Sequence, residues 1–163
     1  MIEMFERDFE FRGKHATYTK FLKDTAKVFN RNIDIYMEAS IIGLLHGRLA
    51  ERDTTDTDRT NILAGVFIEE KEKCKFLFRV IMLLDTSTGL TPEQCLDRAF
   101  REDNNEVALK KNMALFNSYV YGGIEVLYEK FFTNCTTSDD YLNMIYTFVN
   151  NFKNDINGIT DES

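Results

Sequence analysis

Two histidines and three cysteines are the side chains best suited to hold a metal ion or to carry out catalysis, but they lie far apart in the sequence. No Cys-x-x-Cys, His-Glu-x-x-His or Glu-x-x-His pattern accompanies them. Zinc and di-iron sites use ligands that such short patterns place together. We therefore predict neither a metal nor a cofactor for these residues, which are His15, His46, Cys74, Cys95 and Cys135.

Cys74 and His46 come closest to a catalytic pattern. Cys74 lies between Lys73 and Lys75, whose charges favour a thiolate. The apolar spacing around Cys74 nevertheless predicts a buried structural thiol. His46 lies near the end of an apolar segment, where a hydrogen-bonded boundary histidine is more common than a general base. The sequence therefore predicts a protein that is not an enzyme.

The elements that position these side chains are predicted to be helices. One Pro and eight Gly in 163 residues leave few turns, and apolar residues recur at helical spacing along most of the chain. We predict an all-α fold, a single compact bundle of about six helices that spans residues 1–163 as one domain. Residues 1–14 are left open as a helix, a strand or an N-terminal arm, and residues 157–163 are predicted to be a frayed tail.

The predicted helix bounds follow from apolar spacing and from capping residues. Thr91, Pro92 and Gln94 have the types and spacing of a capping box with proline at the first helical position. Asn32 is the predicted N-cap of the central helix, and the polar segment 51–60 is predicted to be a break. The predicted helices cover about 15–29, 33–52, 60–85, 92–102, 104–134 and 138–156.

The central helix, 33–52, is apolar on nearly all sides and carries small residues at steps of four: Ala39, Gly43 and Gly47. Glycine inside a helix costs about 1 kcal/mol relative to alanine, so two of them require a compensating gain. Close approach of a neighbouring helix is the usual gain. We therefore predict that these three residues form a helix-packing seam.

A basic stripe offers a different interpretation of the same half of the chain. The net charge of −7 opposes non-specific binding to nucleic acid, yet segment 14–31 is locally basic. Its lysines and arginine fall on one helix face and could contact phosphates. With one residue of the central helix added, the predicted nucleic-acid contacts are Lys14, Lys20, Lys23, Lys27, Arg31 and Arg48.

The expected compartment is the cytoplasm. Three widely spaced cysteines indicate reduced thiols and not a disulfide framework. The first residues, MIEMFERDFEFRGK, alternate charge with phenylalanine and lack the apolar core of a signal peptide. No run of residues approaches the length and apolarity of a membrane span.

Residues 33–53, IDIYMEASIIGLLHGRLAERD, combine the predicted apolar helix with a Gly-x-x-x-Gly-Arg sequence at 43–48 and a polar segment after it. This segment resembles a pattern in small helical proteins encoded with bacterial DNA-phosphorothioation and other phage-defence operons. The resemblance carries no catalytic residue and implies an accessory role in a defence or DNA-modification complex. We therefore predict a non-catalytic accessory subunit with a protein partner or a homo-oligomer. The alternative is a nucleic-acid-binding regulator that uses the basic stripe.

Overall fold

Seven α-helices and one short two-stranded sheet make up the part of the chain that the structure describes. The structure is a computed structural model; it describes residues 3–161, with the side chains of 3–155 and 157. The prediction of a largely all-α bundle is confirmed, although the number of helices is seven and not six. The elements are β1 (Phe9–Arg12), α1 (Gly13–Lys20), a π-helical turn (Phe21–Thr25), α2 (Asn32–Leu45), β2 (Arg59–Ile62), α3 (Ala64–Glu69), α4 (Lys71–Leu84), α5 (Pro92–Phe100), α6 (Glu106–Asn134) and α7 (Ser138–Asp161).

The small sheet settles the open question about the first residues. β1 pairs with β2 in antiparallel register, with Phe9 opposite Ile62. Phe11 and Ile62 are buried in the core, so the sheet packs against the helices. Segment 51–60, predicted to be a break, therefore ends in a strand. The reason is pairing with a distant segment, which leaves no local period in the sequence.

Helix α2 lies along α6 at the centre of the bundle. A Cβ atom added at Gly43 would collide with the backbone carbonyl of Tyr119, and one added at Gly123 would collide with the carbonyl of Ala39. Ala39 itself is fully buried. The two backbones thus approach closely, which is the gain that offsets glycine inside a helix. Helix α6 continues through Gly122 and Gly123 without a break.

The end of α2 corrects the predicted range 33–52. The helix stops at Leu45, and Gly47 adopts a left-handed backbone with φ of +58°. The Gly47 N–H donates to the Leu44 carbonyl at 3.0 Å, and the Arg48 N–H donates to the Gly43 carbonyl at 2.8 Å. These two bonds form the Schellman arrangement that ends a helix. Gly47 therefore does not belong to the predicted seam, and no atom lies within 4 Å of a Cβ built there.

The polypeptide after α2 crosses α6. The Arg48 carbonyl occupies the space that a Cβ of Gly122 would need. The Ala50 N–H donates to the Ser118 carbonyl at 3.0 Å. The small residues of α6 therefore accommodate both α2 and the extended segment that follows it.

Two further helix boundaries differ from the predictions. The helix predicted over 15–29 is regular only to Lys20, where a π-helical turn takes over. The helix predicted over 60–85 divides at Glu70 into α3 and α4, and Glu70 is held by Arg31 at 3.1 Å and Lys73 at 2.7 Å. An ion-paired residue at this position explains the polar character of a turn that interrupts an apolar pattern.

The predicted caps have mixed outcomes. The capping box at Thr91 is confirmed, since its side chain accepts from the Gln94 N–H and the Gln94 side chain accepts from the Thr91 N–H. Asn32 is not a cap; its side chain donates to Thr60 Oγ1 and to the Asn61 carbonyl, each at 2.9 Å, and so ties α2 to β2. Helix α7 continues to Asp161, into the tail predicted to fray, and residues 162–163 lie outside the described residues.

Candidate interaction surface

The outward side of α2 forms an apolar groove with α4. Met37 and Ile41 on α2 and Phe76 and Leu77 on α4 line a depression of about 450 Å³, and its other lining residues are the charged Glu38, Glu72 and Lys73. Phe76 is 66% exposed, which is unusual for so large an apolar side chain. Because α2 is apolar on nearly all sides and α6 covers only one of them, this side is left open.

A second groove lies on the α6 and α7 side of α2. Ile42 of α2, Leu127 and Phe131 of α6, and Ile145 and Phe148 of α7 line a depression of about 320 Å³. The rings of Phe131 and Phe148 lie 6.4 Å apart and join α6 to α7. The inward stripe of α7 therefore forms one wall of this groove.

Helix α7 also has a second apolar stripe, which faces outward. Leu142, Tyr146 and Val149 are 64%, 71% and 57% exposed and fall on one face at steps of four and three. Val149 also lines the second groove, so the stripe and the groove are continuous. We call the two grooves with this stripe the docking surface; its principal residues are Met37, Ile41, Ile42, Phe76, Leu77, Phe148, Leu142, Tyr146 and Val149.

Glu38 lies in the middle of the docking surface and lines both grooves. Within the described residues its carboxylate has no hydrogen-bond or ion-pair partner, although Arg31 lies on the same side of α2. Arg31 is already paired with Asp34 at 2.7 Å and with Glu70 at 3.1 Å. Burial, and then the charge of Asp34, raise the pKa of Glu38. Glu38 is an exposed residue, and Lys73, which lines the same groove, is paired with Glu70 at 2.7 Å. The Glu38 carboxylate therefore has no cation bound to it within the described residues.

The residues predicted to form the seam lie on the other side of α2. Ala39 and Gly43 face α6, where backbone atoms fill the space beside them. Their small size therefore allows the two helix backbones to pack closely.

The structure separates the residues of the basic stripe and gives most of them acidic neighbours. Lys14 and Arg48 meet at the buried Glu125, at 2.8 and 3.1 Å. Lys20 pairs with Asp58, and Lys23 lies 3.9 Å from Asp24. Arg31 is paired as described above. Lys27, which lies after the π-helical turn, is the stripe residue without an ion pair within the described residues. Such pairing lowers the charge that these side chains can offer to phosphates.

The two residues closest to a catalytic pattern differ in their environments, since Cys74 is fully buried and His46 lies largely exposed at the end of α2. Burial, and then the charge of Glu70, raise the pKa of the Cys74 thiol to about 12, which keeps it protonated. Burial, and then Lys130, lower the pKa of His46, which caps the end of α2. The three cysteines are buried and unpaired. Across residues 3–161, no cluster of three or more potential metal ligands is present.

One buried polar cluster, centred on Asp85, was not predicted from the sequence. Asp85 is almost fully buried and accepts hydrogen bonds from Ser87, Thr88 and Tyr119, and it pairs with Arg98 at 3.1 Å. Burial alone would raise the pKa of Asp85, but the hydrogen bonds outweigh it and lower the pKa. The cluster ties the loop after α4 to α5 and α6. Serine and threonine two and three residues after an aspartate were the available signal, since they are typical of a local turn.

Comparison of the sequence with known protein families and with curated proteins finds no match, and no solved structure matches the chain. Among the described residues, no helix is both long and apolar enough to cross a membrane.

Proposed function

We propose that the protein is a non-catalytic accessory protein that binds an amphipathic, basic helix of a protein partner on the docking surface. The observation that carries the proposal is Glu38, an exposed carboxylate that lines both grooves and has no ion pair among the residues whose side chains the structure describes. Grooves of this kind receive helices whose apolar residues recur at steps of three and four. A lysine or arginine of such a helix would supply the cation that Glu38 lacks.

A second copy of the chain is a poorer occupant. A two-fold interface brings the same residues of both copies together. Centred on this surface, it would bring the Glu38 carboxylates of the two copies close together, and like charges repel each other. The net charge of −7 also favours a basic partner over another copy.

The wider role that we propose is that of a cytoplasmic subunit in a bacterial assembly. Three buried free cysteines support a reducing compartment. The resemblance of residues 33–53 to proteins of phage-defence operons supports an assembly concerned with defence or DNA modification. Neither inference assigns a catalytic residue to this chain.

The test is capture of the partner by a tagged chain, with nuclease present, followed by mass spectrometry. Glu38→Lys and Tyr146→Ser each alter one part of the docking surface and should abolish stoichiometric capture. Val107→Ser is the matched control because Val107 is 79% exposed at the start of α6 and does not line the docking surface. This variant should capture the partner as the wild type does.

Charge reversal makes the test specific. If the bound helix of the partner carries a lysine opposite Glu38, changing that lysine to glutamate should restore binding to Glu38→Lys. Capture that is equal for all three variants would overturn the proposal. Capture that nuclease abolishes would also overturn it and would favour the regulator that uses the basic stripe.

A further inference from the structure

One edge of the small sheet, along β1, has backbone groups that β2 does not use. In an antiparallel pair, hydrogen-bonded and non-hydrogen-bonded residue pairs alternate along the strands. The Gly13 N–H donates to the Asp58 carbonyl at 3.0 Å, and these two residues continue the register of β1 and β2. The pair of Glu10 and Asn61, three positions away, therefore does not exchange hydrogen bonds.

A contact on the other strand agrees with this alternation. The Asn61 carbonyl accepts from the Asn32 side chain at 2.9 Å, so it points away from β1. The N–H and C=O of Glu10 correspondingly point away from β2. Within the described residues, neither of these two backbone groups forms a hydrogen bond. The edge of β1 is thus able to pair with another strand at Glu10.

An open groove, which we call the edge groove, lies along β1 and has a volume of about 590 Å³. Its lining residues are 8–10 at the start of β1, 49–52 in the segment after α2, and Ala114, Asn117, Ser118 and Tyr121 on α6. Beyond the other end of β1 the same segment closes against the chain, where Asp53 accepts from the Lys14 N–H at 2.9 Å. The edge is therefore covered near Lys14 and open at Glu10.

The edge groove offers an apolar patch and a hydrogen-bond donor. The rings of Phe9 and Tyr121 are stacked at a centroid distance of 6.2 Å, and His15 holds the Tyr121 ring at 4.8 Å. Asn117 accepts from the Tyr36 hydroxyl at 2.7 Å through its side-chain oxygen, which leaves its NH₂ group as a donor. An apolar side chain and a backbone carbonyl are the groups that fit these features.

The charges that line the edge groove favour a basic occupant. Three carboxylates, those of Asp8, Glu10 and Glu51, outnumber the single guanidinium of Arg52. Glu10 is already paired with Arg12. Glu51 is exposed and forms no ion pair within the described residues. A lysine or arginine in the groove would therefore be attracted, and an anion repelled.

We infer that the edge groove binds an extended segment of a protein partner, in which a basic residue lies between two apolar residues, as a third strand beside β1. The backbone of this segment exchanges hydrogen bonds with the N–H and C=O of Glu10, as in other cases of strand addition to a sheet edge. Alternate side chains of a strand point to opposite faces. The apolar residues therefore pack on Phe9 and Tyr121, and the basic residue lies on the face of Glu10. This site shares no residue with the docking surface.

The experiment is fluorescence anisotropy with the peptide Thr-Val-Lys-Val-Thr, labelled with fluorescein at its N-terminus and amidated at its C-terminus. The wild type should bind it saturably. Replacing the lysine of the peptide by glutamate should weaken binding about 10-fold, because the lining charge then repels the peptide. Methylation of the lysine backbone nitrogen should weaken binding about 5-fold or more, since it removes a donor to the strand edge but keeps the charge.

Variants of the chain test the same site from the other side. Ala114→Trp fills the edge groove from an exposed position on α6 and should abolish binding, whereas Lys111→Trp, also exposed on α6 but outside the groove, should not. Glu51→Gln should weaken binding about 3-fold, as expected for an exposed ion pair. Glu69→Gln is its matched control, because Glu69 is exposed and does not line the groove. Circular dichroism will show that each variant is folded.

Three outcomes would overturn the inference. The first is absence of saturable binding up to about 1 mM of the lysine peptide, which corresponds to a very weak complex. The second is equal binding of the N-methylated peptide, which would show that the strand edge is not used. The third is equal binding by Ala114→Trp and Lys111→Trp, which would place the peptide elsewhere on the protein.

Discussion

The two sides of α2 are both apolar, but one is sealed and the other is open. On the inner side, Ala39 and Gly43 meet the backbone of α6 so closely that a single added carbon collides. On the outer side, Met37 and Ile41 line a groove that nothing in residues 3–161 fills. Small residues therefore mark the face that meets the backbone of α6, and the half-buried Met37 and Ile41 mark the face that we assign to a partner.

The physical origin of this difference is the kind of atom that each side meets. Backbone carbonyls on the inner side cannot rotate away, so the packing there does not yield to added volume. The outer groove is lined by side chains next to solvent, and these tolerate replacement. Substitutions on the two sides should therefore differ in whether they affect folding or binding.

The largest expected effect is that of Gly43→Leu. Its side chain would overlap the Tyr119 carbonyl, and we expect a loss of about 3 kcal/mol or more in the free energy of unfolding. Urea denaturation followed by circular dichroism measures this loss. Gly65→Leu is the control, since a Cβ at Gly65 meets nothing within 4 Å. Unchanged stability of Gly43→Leu would remove the distinction between the two sides.

The second effect concerns the glycine that lies outside the seam. Gly47→Ala places a side chain on a residue with φ of +58° in open space. The free energy of unfolding should fall by about 1 kcal/mol, because an alanine in a left-handed backbone is strained. Gly47→Asn should cost less, because asparagine tolerates this conformation better. A loss for Gly47→Ala that equals the loss for Gly43→Leu would show that Gly47 also packs against a neighbour.

These two glycines show what the sequence can predict. The four-residue step fits a seam at all three small residues, but the same step also brings Gly47 to the position where a helix ends. The capping box at Thr91 was predictable because all of its atoms come from four consecutive residues. Pairing of β1 with β2 was not, because its partner is distant in the sequence.

The docking surface could not be predicted from the sequence. The sequence shows the aromatic and apolar residues but not which of them the fold leaves uncovered. Glu38 looks like an ordinary surface residue until its neighbours are known. Its carboxylate is left without Arg31 because Arg31 is engaged by Asp34 and by Glu70, which lies at the junction of α3 and α4.

The third expected effect separates stability from binding on the open side. Phe76→Ser should change the free energy of unfolding by only about 0.5 kcal/mol, because the side chain is already largely exposed. Partner capture should nevertheless be lost, since the groove between α2 and α4 loses its largest wall. Thermal denaturation and the capture assay, run on the same preparation, measure both quantities. If Phe76→Ser were destabilised as strongly as Gly43→Leu, the groove would contribute to the stability of the fold.

The smallest expected effect is a pH-dependent one at Glu38. Its pKa in the folded protein is raised, so the protonated form is favoured by folding. The stability that protonation contributes is therefore fully present below the unfolded pKa, about 4.3, and is lost as pH rises through the folded pKa. Glu38→Gln mimics the protonated form and should be slightly more stable than the wild type at pH 7, by about 0.5 kcal/mol or less. Below about pH 4 the two proteins should have equal free energies of unfolding. Urea denaturation at pH 7 and below pH 4 measures both values. A variant that is less stable than the wild type at pH 7 would show that the Glu38 carboxylate already has a partner within the chain, and the charge argument for a basic helix would fail.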